Sequence, residues 1–143
     1  MIVGDDIKYF QSSSGKITGR SYIDIEREAR RAYNRIASQT KREPYIRSVY
    51  FRKEKIFLKP FWNHLHEKHE GDRKRRLKYF HCALDLIRNS SLPPESKNNP
   101  NSRNEIAHRF VGKTKTAEKF AVQIKEDNRT GKKYLMSVFP INK

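Results

Sequence analysis

The stretch from Phe120 to Pro140, FAVQIKEDNRTGKKYLMSVFP, restricts what this chain can fold into more than any other. Two alternating runs flank a polar turn, which is the pattern of a β-hairpin. Phe120, Val122 and Ile124 on the first run, and Tyr134, Met136 and Val138 on the second, mark the core face. A turn that pairs Glu126 with Lys132 sets Phe120 opposite Val138, Val122 opposite Met136 and Ile124 opposite Tyr134. Two independent alternations agree on this register. The other face then carries Gln123, Lys125, Lys133 and Ser137, with Lys125 directly across from Lys133. Like charges in that position are unfavourable unless an anion sits between them. That face is either the solvated side of an antiparallel sheet, which is common, or the floor of a site.

Charge bears on that choice. The 143 residues include 32 Lys and Arg against 16 Asp and Glu, a net charge of +16. Such an excess repels itself and is best tolerated opposite a polyanion. Phosphate neutralisation puts nucleic acid first among the candidates, beside the plainer reading of a well-solvated basic surface. The charge is spread along the chain rather than gathered in a tail. No run approaches the roughly 18 apolar residues of a membrane span, so no membrane partner is expected. The start MIVGDDIKYF lacks the basic and long apolar regions of a signal peptide. Cys82 is the one cysteine, so no intrachain disulfide can form. A cytoplasmic location follows as the expectation, or delivery into a target cell's cytoplasm.

The front of the chain reads as helical. Residues 21–39 place Ile25, Ala29, Ala32, Tyr33, Ile36 and Ala37 on one stripe, with Ser21 and Asp24 resembling a capping box. Residues 47–51 suggest a short strand, and 53–59 fit helix or strand. Pro60 suits the first turn of a helix that turns Phe61, Trp62 and Leu65 to the core. Residues 73–90 read as one amphipathic helix through Leu77, Phe80, Leu84 and Ile87. Its first turn would be Arg73, Lys74, Arg75 and Arg76, four cations set against the helix dipole. They are either surface charge or a patch presented to an anion. Residues 90–102 read as an exposed loop.

Chemistry-bearing residues are few. His64, His66 and His69 lack the i, i+4 spacing of a helical zinc pair, and solvated histidines are the expectation, so no metal and no other cofactor is assigned. Cys82 lies among apolar residues and is expected to be partly buried. His108 and Arg109 sit in a strand that sends them to opposite faces, so one of them is expected to be structural. Lys113 follows in the next turn.

The segments HRFVGKT, FAVQIKED and KKYLMSVFP, in that order, resemble the phage- and mobile-element-associated barnase–EndoU–colicin–RelE-like (BECR-fold) nucleases. VYFRKEKIFLKPFW and RRLKYFHCALDLIRNS are similar to the same group. The resemblance covers roughly residues 48–140. It implies an α+β fold, with N-terminal helices packed on a small C-terminal antiparallel β-sheet. Residues 1–47 would be a helical extension and 48–143 the nuclease-like domain, together one compact unit. It also implies metal-independent RNA cleavage, often in toxins. Carried over by motif, His108, Arg109, Lys125 and Ser137 are the catalytic candidates. Arg73, Lys74, Arg75, Arg76, Lys113, Gln123 and Lys133 are the candidates for binding RNA. The expected function is a toxin or effector ribonuclease acting on RNA such as tRNA or ribosomal RNA, with an immunity or antitoxin protein as partner. The alternative is a non-catalytic nucleic-acid-binding module or mobile-element regulator. Such modules stack bases on exposed aromatics. Most aromatics here fall at expected core positions, which favours the nuclease.

Overall fold

The computed structural model describes residues 7–99, 101 and 104–141. The first six residues, and Pro100 and Ser102 of the expected loop, lie outside them. Among the described residues, seven strands form one curled mixed sheet accompanied by four helices. In chain order these are β1 (Phe10–Gln11), α1 (Tyr22–Ala37), β2 (Tyr45–Ser48), β3 (Glu54–Phe57), α2 (Lys59–His66), α3 (Glu70–Leu77), α4 (Phe80–Asn89), β4 (Glu95–Asn98), β5 (Glu105–Lys113), β6 (Lys119–Asp127) and β7 (Lys133–Pro140). Across the sheet the order is β1-β5-β6-β7-β3-β2, with β4 also paired to β5.

This corrects the expected helices on a small C-terminal antiparallel sheet. β1 runs parallel to β5 and β3 parallel to β7, and β1, β2 and β3 all precede α2. Strands of two and four residues are too short to show a period, so alternation alone could not place them. β4 has a similar history. All four of its residues are exposed, so it carries no apolar signal within the expected loop, yet it pairs with β5 from Glu95↔Arg109 to Asn98↔Ile106.

Local signals set the helices. Ser21 caps α1 by accepting from the Asp24 N–H at 3.3 Å, and Tyr22, Ile25, Ala29 and Ile36 are buried. They share one core with Ile46 of β2, Ile56 of β3, the apolar face of α4 and Phe110, Phe120, Val122, Ile124, Leu135 and Val138 of the sheet. Pro60 sits in the first turn of α2, as read. The expected helix over 73–90 is in fact two. α3 ends at Leu77 and α4 starts at Phe80. The basic quartet therefore lies towards the C-terminal end of α3, behind Glu70 and Asp72 in its first turn. That order suits the helix dipole instead of opposing it. α4 packs closely on the sheet at Gly112, where a Cβ would stand 2.8 Å from the Phe120 ring and 3.1 Å from Leu86.

The hairpin is present with a different register. β6 and β7 pair Phe120↔Pro140, Val122↔Val138 and Gln123↔Ser137, then Ile124↔Leu135, Lys125↔Tyr134 and Glu126↔Lys133. Met136 is the extra residue of a bulge between the two sets. On β7 the alternation is interrupted there, so Leu135 and Lys133 face inward with Val138, while Tyr134 turns out. The expected Lys125–Lys133 apposition is replaced by Glu126 beside Lys133. Gly131, at φ +77, makes the turn possible.

Candidate functional site

The bulge and the ending of β3 together create a cleft. β3 pairs with β7 only at Ile56↔Lys133 and Phe57↔Tyr134. The chain then leaves for α2, and α2 and α3 flank the rest of β7. His64 of α2, Lys68 just past its end and Arg76 of α3 thereby reach the outward face of the sheet. They meet Gln123 and Lys125 of β6 and Ser137 of β7 around a cavity of about 350 Å³. Ala107, Met136 and Phe139 complete its wall.

Arg76 is fixed from two sides. Its Nη1 donates to Ser137 Oγ at 2.8 Å, and its Nε lies 3.1 Å from Asp72 Oδ2. Burial works to raise the Asp72 carboxyl, but hydrogen bonds and charge from Arg75 and Arg76 outweigh it and hold it below its ordinary value. Because Ser137 accepts from Arg76, its own proton is free to point to another acceptor. Lys125 Nζ stands 3.4 Å from Glu105 Oε2 at the rim. His64 is about one-third exposed, with Nδ1 3.5 Å from Glu67. Burial lowers its pKa first, and the charges of Lys68, Arg76 and Lys125 lower it further against the pull of Glu67. Among the described residues, no Asp or Glu side chain lines this cavity. A cleft with three cations, a hydroxyl and a histidine poised to be neutral suits a phosphodiester.

The candidates read from sequence divide between the two faces of the sheet. Lys125, Ser137, Gln123 and Arg76 come together in the cleft. Arg109 stands at its edge: its guanidinium lies 5.4 Å from the Phe139 ring, and that of Arg76 lies 5.5 Å from the same ring. Arg73 donates to the Lys68 carbonyl and Lys74 to the Arg20 carbonyl, while Arg75 pairs with Asp72. Lys113 stands apart, beside Tyr9 at the β1 end. His108 and Lys133 face inward. His108 is 8 % exposed and lies between Ser96 Oγ at 2.7 Å and Glu126 Oε1 at 2.8 Å. A carboxylate only accepts, so Nε2 carries a proton. Lys133 is 6 % exposed, bonded to Glu54 and 3.8 Å from Glu126. Neither side chain lines the cleft.

Sequence reasoning passed over His64 and Lys68. His64 lies in the last turn of α2 and Lys68 two residues beyond its end, so no local periodicity sets either against the sheet. His69 instead caps α3, accepting from the Asp72 N–H at 3.4 Å. Burial pushes the Cys82 thiol up to about 11, and the thiol donates to the Ser14 carbonyl at 3.3 Å, so it is no nucleophile. Among the described residues, no three His, Cys, Asp or Glu side chains are grouped so as to hold a metal ion, and no helix is long and apolar enough to cross a membrane. No family model, no curated protein and no solved structure matches this chain.

Proposed function

We propose that this chain is a metal-independent endoribonuclease of the toxin or effector kind, as its resemblance to BECR-fold nucleases implies. The observation that carries this reading is the convergence of His64, Lys68, Arg76, Lys125 and Ser137 on one cavity that no carboxylate lines among the described residues.

The reaction begins with a ribose 2′-hydroxyl of the substrate. Neutral His64 removes its proton as the 2′-oxygen attacks the adjacent phosphorus. The bond from the 2′-oxygen to phosphorus forms, and that from phosphorus to the 5′-oxygen breaks. The proton held by His64 passes through water to the departing 5′-oxygen, leaving a 2′,3′-cyclic phosphate, a 5′-hydroxyl and His64 neutral again. The phosphorane in between bears extra negative charge, which Arg76, Lys125 and Lys68 offset and to which Ser137 donates. Asp72 is a positioning residue that holds Arg76. His108, given first place by the sequence motif, has no part in this scheme.

Purified protein incubated with total tRNA and ribosomal RNA should yield fragments with 2′,3′-cyclic ends, with or without chelator. A single 2′-deoxy substitution at the cut site should stop cleavage there. Lys125→Ala should lower turnover roughly a hundredfold in a folded protein. Cleavage abolished by chelator and restored by a divalent ion would overturn the mechanism. Salt-sensitive binding without any cleavage would favour the alternative of a non-catalytic nucleic-acid-binding module. Six phosphate contacts to a single strand correspond to a log–log salt slope of about −4.

A further inference from the structure

The register of the sheet aligns one row of side chains across four strands. Lys125 of β6 is the partner of Tyr134 on β7. Tyr134 is the partner of Phe57 on β3, and Phe57 of Tyr45 on β2. Register partners point to the same side of a sheet, so this row lies on the face that carries the cleft. All three rings are only partly buried, and those of Tyr45 and Phe57 meet edge to face at 5.9 Å. With strands about 4.8 Å apart, the row from Lys125 to Tyr45 extends roughly 14 Å.

Cations surround these rings. Lys132 Nζ lies 4.6 Å from the centre of the Phe57 ring and 5.9 Å from that of Tyr134. Lys55 Nζ lies 4.7 Å and the Arg47 guanidinium 5.4 Å from the Tyr45 ring. Lys132 also reaches Glu43 at 3.2 Å. Core packing does not require partly exposed aromatics interleaved with positive charge, but single-stranded nucleic acid uses both. Rings stack unpaired bases and cations follow the phosphates.

We propose that Tyr134, Phe57 and Tyr45 form a stacking platform for two or three unpaired bases of single-stranded RNA, leading directly into the cleft at Lys125. The proposal rests on the RNA reading of that cleft and assigns its substrate class, a single strand instead of a duplex. The bases of a duplex are already stacked and cannot lie on the rings. The platform also restores a feature that sequence reasoning had counted against base stacking, because Tyr134 had been placed in the core.

The test uses the full chain and a fluorescent 2′-O-methyl RNA decamer, which cannot be cleaved, so binding is read whether or not the protein proves catalytic. The double variant Tyr45→Leu with Phe57→Leu keeps apolar bulk and every cation. It should bind the single strand roughly a hundredfold more weakly, about tenfold per ring, and a duplex of the same sequence as wild type does. On the wild-type protein, a decamer carrying 4-thiouridine should photocrosslink to Tyr45, Phe57 or Tyr134, a readout that does not depend on a variant folding. Unchanged single-strand affinity in the double variant, an equal loss for duplex, or crosslinks confined to other surfaces would overturn it.

Discussion

The two faces of β5, β6 and β7 use the same residue types to opposite ends. Inward, the buried His108 and Lys133 meet Ser96, Glu126 and the exposed Glu54, so each ring nitrogen and the ammonium has a partner. Outward, His64 shares a cavity with Lys68, Arg76 and Lys125, and the carboxylates that hold Arg76 and Lys125, Asp72 and Glu105, stand outside its walls. A buried histidine between a hydroxyl and a carboxylate is a structural joint. His64 is biased towards its neutral form, first by partial burial and then by Lys68, Arg76 and Lys125, against the pull of Glu67. The difference is made by the surroundings and not by the residue.

The sharpest way to break this comparison is to remove each histidine. His64→Gln should lower RNA cleavage by 10²–10⁴ with little change in thermal midpoint. If His108→Gln instead abolishes turnover in protein that remains folded, the functional roles of the two faces are the reverse of those drawn here. The next effect concerns stability. Lys133→Met leaves Glu54 and Glu126 without their shared cation and should cost on the order of 2 kcal/mol, measured by denaturant unfolding, whereas Lys125→Met at the one-third-exposed rim should cost well under 1 kcal/mol. Equal costs would mean that both lysines are structural. The smallest effect is a pH dependence. The folded pKa of His64 lies below its ordinary value of 6.5, so near that pH the unfolded chain binds more protons. The contribution of His64 to stability is complete above about pH 6.5 and is lost as pH falls. Unfolding curves from pH 7.5 to 5 should show that decline in wild type and less of it in His64→Gln. An anionic strand in the cleft should raise the pKa of His64, so binding should take up protons near neutrality.

Parts of this arrangement are legible in the chain. Ser21 announces α1, Pro60 announces α2, and the alternation Phe120, Val122, Ile124 gives the inward face of β6. It also gives the outward face, which is why Gln123 and Lys125 were found. β7 was half-read. Val138 and Ser137 lie as expected, but Met136 adds a residue that no alternation can reveal, and Tyr134 and Lys133 exchange faces because of it. The break between α3 and α4 at Lys78 and Tyr79 has neither glycine nor proline to mark it. The motif HR lies on β5, as a strand was expected there, but it could not say which of the two residues faces out. His64 belongs to the site only because β3 stops pairing early and lets α2 lie against β7, a tertiary fact with no local trace.

The position of β7 has a consequence for how the molecule comes into being. The last of the strands in the chain lies between β6 and β3 in the sheet, and it alone joins the β5–β6 side to the β3–β2 side. While residues from 133 onward are still inside the ribosome, the emerged chain has all four helices and six of its described strands, yet no cleft and no aligned row of rings. Closure must wait for Ile56 to meet Lys133, a pairing 77 positions apart in sequence, which is an entropically slow step. The activity proposed here would therefore arrive late and all at once, and premature termination anywhere before that strand would release a harmless product.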